Sequence, residues 1–364
     1  MKIIAVIECL ENFAPLSLQE DYDNAGLIIG NSQDECTGII TTLDVTEKVV
    51  AEAVKKGCNL IVAHHPIIFK GLKKLNGANY IERTVISAVK NNIAIYAIHT
   101  NLDNVIDGVN NKIAEKLELQ NVEILQPKQN ILKKMVTFSP KENASEVRNA
   151  LFMTGGKLGK YSECSFNVEG MGTFKAGEGA KPHVGEIGKR HEENETRIEV
   201  IFPGYLQKQI VESLKASHPY EEVAYDIYPL DTQINEFGSG LTGNLAKPVS
   251  EDELLSRLKI NFNLQAIRHS PYLSKKISKI AICGGAGSFL ISLAKASGAQ
   301  AFITSDVKYH EFFDADSEIL VADIGHFESE QFTIDLLAEI LKEKFPNFAV
   351  LKTEINTNPV NYYI

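Results

Sequence analysis

The sequence predicts an α/β protein made of two related α/β halves with an inserted β-α-β-β-α-β domain, and three observations predict it. β-branched runs alternate with amphipathic helical segments before residue 130, a similar alternation returns near the C-terminus, and the stretch between them changes its order. The expected domains are residues 1–130, 131–232 for the insert, and 233–364 for the second half.

In the first half GIITTLD reads as a strand, and Thr46 is an N-cap for the helix EKVVAEAVKKG, which ends at Gly57. The strand NLIVA, a helix around Tyr80 to Asn91, the strand IAIYAI and a helix opening near Asp107 follow. This alternation implies a largely parallel sheet covered by helices. The order returns as strand KIAIC, helix FLISLAKASG, strands AFITS and EILVAD, and a long helix from about Ser329 to Lys344. Such an internal repeat would gather strand ends from both halves around one cleft.

Between them, KKMVTF, SECSFNVEG, TRIEVIF and EEVAYDIYPL read as strands, and ENASEVRNALFMTG and GYLQKQIVESLKASH as helices. That is the ferredoxin-like split order. Its middle hairpin, GMGTFKAGEGAKPHVGEIGK, is rich in glycine and reads either as a mobile loop or as a ligand-gated flap.

Composition narrows the function. Lys+Arg 37 against Asp+Glu 47 give a formal net charge of -10 over 364 residues, a field that repels a phosphate backbone. Bulk nucleic-acid binding is disfavoured, although a local pocket for one nucleotide is not. Cys9, Cys36, Cys58, Cys164 and Cys283 are odd in number and mostly set in apolar runs, as free thiols of a reducing compartment are. MKIIAVIECLENF is too short and too acidic for a signal peptide, and no run approaches the ~20 apolar residues of a membrane span. A cytoplasmic location without membrane contact is expected.

Three segments carry chemistry. In IVAHHPIIF a buried strand runs straight into His64 and His65, at the carboxyl end where ligands collect in parallel sheets. Adjacent histidines leaving a strand diverge unless the turn at Pro66 swings both into one cavity, which suits two metal ions better than one. In IYAIHTNLDN the next strand delivers His99 and Asp103, and a carboxylate there needs a cation, backbone donors or a helix start. In ILVADIGHFESEQF, His326 and Glu330 stand one helical turn apart and can reach the same ion or neighbouring ions. Three imidazoles and two carboxylates without a nearby cysteine suit zinc, manganese or ferrous iron.

Asp44, Asp306, Lys308 and His310 also follow strands, as partners of the ligands or as turn caps, and Asp21, Asp23 and Asn24 occupy a similar polar turn. ICGGAGSFL offers backbone donors to a phosphate but lacks a P-loop lysine and the dinucleotide spacing, so a tight packing turn is the reading preferred.

The segments DNAGL, AHHPIIF, IHTNLDNVIDGVN, TSDVKYHE and GHFESE together resemble the Nif-three-like dinuclear metal centre family, whose members are often labelled GTP cyclohydrolase 1 type 2 homologues. The resemblance implies a metal set of His64, His65, Asp103, His326 and Glu330 holding two divalent ions per subunit, zinc first, with manganese or iron as alternatives. It also implies a ring-shaped homohexamer. HPYEEVAYDIYPL resembles the ending of PII and CutA proteins, which long members of the family carry as an insert. The function implied is a metal-dependent hydrolase of a nucleotide or phosphate compound, with His99 or His310 as proton donor. The alternative is a metal carrier or a regulatory sensor that binds a small molecule.

Overall fold

The computed structural model describes residues 1–155, 159–232 and 234–363. Gln233, where the second half is expected to begin, and Ile364, its expected end, lie outside the described residues. The chain divides into two compact units, Met1–Pro127 with Asn235–Ile364, and Lys128–Ile234.

The first unit holds two sheets. One orders its strands Gly26–Ile29, Ala94–Ala97, Leu60–Ala63, Ile39–Thr42 and Val350–Lys352, parallel throughout except for the first pair. IITT, LIVA and AIYA are buried at every position, as parallel strands covered on both faces must be. Local chemistry sets the helices between them. Thr46 accepts a hydrogen bond from the Val49 N–H, and Gly57 closes the helix Glu47–Lys56 in the left-handed region at φ 70.

The helix Tyr80–Lys90 has a stronger start. The Asn79 side chain accepts from the Glu82 N–H at 2.9 Å, while the Glu82 carboxylate accepts from the Asn76 and Ala78 N–H groups at 3.0 Å each. Asn79→Ala is expected to lower stability by about 1 kcal/mol, the usual worth of a cap. Denaturant unfolding checks this, and an unchanged midpoint would count against the capping role.

The second sheet orders Arg268–His269, Leu320–Asp323, Ala301–Ser305, Ile277–Ala286, Gly238–Val249 and Gln120–Pro127. Its three strands Ile277–Ala286, Ala301–Ser305 and Leu320–Asp323 run parallel, in the same side-by-side order as Ile39–Thr42, Leu60–Ala63 and Ala94–Ala97. The remaining strands are antiparallel, so this sheet is mixed rather than largely parallel. The single long helix expected from Ser329 is instead two, His326–Glu330 and Thr333–Lys344. Side chains interrupt the ladder: Ser329 donates its hydroxyl to the His326 carbonyl, and Gln331 donates to the Glu328 and Phe262 carbonyls. The N-terminal segment is a helix, Ile3–Phe13, with Ile3, Val6, Ile7 and Leu10 buried.

The second unit has the element order strand, helix, two strands, helix, strand. Its sheet is antiparallel between all neighbours, in the order Phe166–Lys175, Arg190–Pro203, Leu132–Pro140 and Tyr225–Pro229. Met135, Ile198, Val200 and Phe202 pack from the sheet onto Val147, Leu151, Ile210 and Leu214 of the helices. Glu195, Arg197 and Glu199 alternate onto the opposite face. The glycine-rich hairpin stays paired as far as Lys175 and Arg190, which leaves 176–189 as its loop. Among the described residues no helix is long and apolar enough to cross a membrane.

Candidate metal centre

The carboxyl ends of the parallel strands of both sheets open on one cavity of about 730 Å³, lined among others by His65, Asp103, His326 and Glu330. His64 and His65 leave Leu60–Ala63, and their backbone N–H groups continue the ladder by donating to the Thr42 and Leu43 carbonyls. Asp103 ends the short helix Thr100–Asp103 beyond Ala94–Ala97. His326 opens its helix after Gly325 at φ 91, and Glu330 closes it one turn later.

The five side chains expected as ligands therefore meet, and they do so in two overlapping groups. His65 Nε2 lies 3.0 Å and His326 Nε2 3.1 Å from Glu330 Oε2, with the two nitrogens 3.2 Å apart. His64 Nε2 lies 3.6 Å from Asp103 Oδ1 and 3.8 Å from Glu330 Oε1. Glu330 belongs to both groups, and each group has ligand atoms close enough to hold one metal ion.

Each ring is aimed by its other nitrogen. His64 is completely buried and its Nδ1 faces the Ile98 carbonyl at 2.9 Å. A carbonyl only accepts, so Nδ1 carries the hydrogen, and burial holds the His64 pKa down to about 4. Its Nε2 therefore presents a lone pair toward Asp103 and Glu330. In the same way Nδ1 of His65 donates to Asp44 Oδ1 at 2.8 Å, and Nδ1 of His326 donates to Asp306. Backing groups of this kind fix the tautomer of metal-binding imidazoles.

Two polar atoms test whether this cluster fits a cation. Among the described residues His64 Nε2 and Asp103 Oδ1 are buried without a hydrogen-bond partner, and a buried unsatisfied group costs about 1–3 kcal/mol, more when charged. His65 Nε2 and His326 Nε2 both face Glu330 Oε2 and stand 3.2 Å apart, where two lone pairs repel. A divalent ion at either group relieves this, and the donor set fits.

Without an ion, protons must supply the positive charge. Burial works against charge on His65, but its bonds to Asp44 and Glu330 prevail and lift its pKa to about 9. Burial likewise opposes charge on His326, and the neighbouring Glu330 and Asp306 prevail there too, raising it to about 11. Burial and the Glu330 charge push Asp103 well above the carboxylate range. Glu330 itself is held well below that range, because His326 and the other imidazoles outweigh its burial. Carboxylates crowded this closely call for positive charge from outside the chain.

Of the other residues singled out by sequence, Asp44 and Asp306 back His65 and His326, and Asp23 backs His99 at 2.7 Å. Against burial, hydrogen bonds from the His99 ring, the Thr100 hydroxyl and the Asn24 N–H hold the Asp23 pKa down to about 2. The His99 ring stands 5.3 Å from that of His64 and 5.4 Å from that of His65. Asn24 ties the Ile68 carbonyl, and Asp21 is exposed. Lys308 pairs with Glu311, and His310 packs on Tyr309 and Phe313, so neither lines the cavity.

The ICGGAGSFL turn serves packing. Its Gly284, Gly285 and Gly287 N–H groups donate to Asn110, Ser329 and Thr304 side chains, which leaves them unavailable to a phosphate. Sequence reading missed the C-terminal segment: Thr357 donates to Asp44 Oδ2 at 2.8 Å, and Asn358 and Tyr362 line the cavity. It also missed Arg268, which lines the cavity while bound to Asp323 and the Val307 carbonyl. Both lie in segments without helical or strand periodicity, so no local signal marked them.

Comparison with known proteins gives the chain a family. Residues 1–359 match the family model described as Duf34/NIF3 (NGG1p interacting factor 3). A Bacillus subtilis (strain 168) protein named GTP cyclohydrolase 1 type 2 homolog is 37% identical over 364 residues, spanning 98% of this chain and 97% of that protein. A Halalkalibacterium halodurans protein of the same name is 36% identical over 363 residues, 98% of each. The crystal structure of a Bacillus cereus protein related to NIF3 matches with a TM-score of 0.87 at 36% identity, over 100% of this chain and 99% of that one. Family model, full-length relatives and fold agree: the chain belongs to the Duf34/NIF3 family.

Proposed function

We propose that this chain holds two divalent metal ions on His64, His65, Asp103, His326 and Glu330 and uses them to hydrolyse a nucleotide or related phosphate compound. The observation that carries the reading is the sharing of Glu330 between the group with His65 and His326 and the group with His64 and Asp103. Zinc is proposed first, because imidazole and carboxylate ligands suit it, with manganese or ferrous iron next. Bound there, such ions supply Lewis acidity, an acidified water and a polarised scissile bond.

The chain's own residues have the remaining tasks. Asp44, Asp306 and the Ile98 carbonyl hold the three imidazoles in one tautomer. Arg268 is the one lysine or arginine among the described lining residues, and it offers a fixed cation to an anionic substrate. The names of the Bacillus subtilis and Halalkalibacterium halodurans relatives support GTP as the first compound to try. In the second unit, the strand order supports reading residues 128–234 as a ferredoxin-like insert.

The test is metal analysis of protein purified without added metal, followed by incubation of loaded protein with GTP and simple phosphoesters. Turnover that falls together with metal content in His65→Ala supports the hydrolase. Stoichiometric metal without turnover on the whole panel supports the competing reading, a carrier or sensor. Absence of metal overturns both.

A backing residue gives a milder prediction. Asp44→Asn keeps the shape but turns an acceptor that fixes the His65 tautomer into a side chain that can donate, and metal affinity is expected to fall about 10-fold. Competition with a chromophoric chelator measures it, and wild-type affinity would remove Asp44 from the scheme.

A further inference from the structure

The second unit contains a cavity of its own, about 1150 Å³, between its hairpin, the glycine-rich loop and the HPYEE segment. The segment is built to hold one ring in place. His218 is buried, its Nε2–H donating to the Phe138 carbonyl at 2.9 Å and its Nδ1 accepting from the Tyr220 N–H at 3.1 Å. Tyr220 is thus bolted to the sheet, and its hydroxyl donates to Glu195 at 3.0 Å. Glu221 accepts from the Lys181 N–H at 2.7 Å and so latches the glycine-rich loop over the cavity.

The walls are aromatic. The Tyr220 ring stands 6.1 Å from Phe174 and 6.2 Å from His183, all three lining the space. The floor is bare: Gly170 pairs with Glu195 across the hairpin, a Cβ at Gly170 would meet nothing within 4 Å, and a Cβ on Gly172 would collide with the Glu195 carboxylate.

Charge decides what such a space takes. Glu169, Glu178, Glu195, Glu221 and Glu222 line it against Lys175 and Arg197. Glu169 is paired with Lys141 and Arg197 with Glu199, so carboxylates outnumber cations among what remains. Aromatic faces beside carboxylates attract a positively charged, partly apolar group, and cation–π contacts contribute about 0.5–2 kcal/mol each. We propose that this cavity is a binding site for an organic cation, an alkylammonium or polyamine, seated on Tyr220 and Phe174 above Gly170.

Calorimetric titration of the full-length, metal-loaded protein with choline and with spermidine tests this, with neohexyl alcohol, the uncharged isostere of choline, as control. Saturable heat is expected for at least one cation and none for the alcohol. Tyr220→Ala should weaken binding about 10-fold or more, as loss of a cation–π wall implies. Gly170→Leu, which fills open space without backbone strain, should abolish it while the melting temperature is kept. If neither cation binds, if the alcohol binds equally well, or if Gly170→Leu binds as wild type does, the proposal is overturned.

Discussion

Glu330→Gln is expected to lower divalent-cation affinity by at least about 100-fold, the upper end of what loss of a mere backing residue costs. Oε2 of Glu330 serves the histidines at 65 and 326 at 3.0 and 3.1 Å, and Oε1 faces His64 at 3.8 Å. Glutamine keeps the volume and removes the charge, so the loss falls on the ions rather than on packing. The two groups also predict a contrast. His326→Ala touches only one of them and Asp103→Asn only the other, so each should cost about one metal equivalent where Glu330→Gln costs two. Elemental analysis after dialysis counts the equivalents. Wild-type stoichiometry in Glu330→Gln would sink the shared-carboxylate scheme.

The strands that position these residues were legible because burial on both faces leaves an unmistakable trace. LIVA, AIYA and the LVA of Leu320–Asp323 are continuous apolar runs, and each is followed by the polar residues of the cavity. What escaped were elements whose stability comes from distant partners. Gly238–Val249 carries glycine, asparagine, lysine and proline, and holds its place by pairing with Ile277–Ala286 on one side and Gln120–Pro127 on the other. No local propensity announces such a strand. The break after Glu330 was hidden for a related reason, since the side chains of Ser329 and Gln331 outbid the helix for its own carbonyls.

The site divides in the same manner. His64, His65, Asp103, His326 and Glu330 could be placed because each follows a strand end within seven residues, and strand ends of parallel sheets converge. Their backing was only half legible. Asp44 and Asp306 also follow strands and were singled out, yet capping a turn was an equal reading until the structure set them against His65 and His326. Thr357 sits in irregular backbone and Arg268 in a strand of two residues, so their approach to the cavity depends on tertiary contacts that have no periodic signature. Between His310 and His99 as neighbours of the cluster, the sequence was silent. Only packing separates the exposed ring on Tyr309 from the one beside His64.

Gly285→Ala is expected to disable the centre through a single methyl group. The residue sits at φ +63, and a Cβ built there would stand only 2.3 Å from Glu330 Oε1 and 3.5 Å from His326 Cε1. Glu330 cannot retreat: it is 3% exposed, and its other oxygen is engaged by His65 and His326. Metal affinity should therefore drop by about 100-fold, since displacing a ligand costs at least as much as removing its support. Left-handed backbone adds a penalty of about 1–2 kcal/mol for any residue with a Cβ, which would lower the melting temperature by itself. Gly57→Ala separates the two effects, because Gly57 has φ +70 but nothing within 4 Å of its would-be Cβ. Both variants should melt a few degrees early, while metal binding by Gly57→Ala stays at the wild-type level. Equal metal affinity in the two would mean that the Glu330 carboxylate has room to move, and the crowding on which this prediction stands would be wrong.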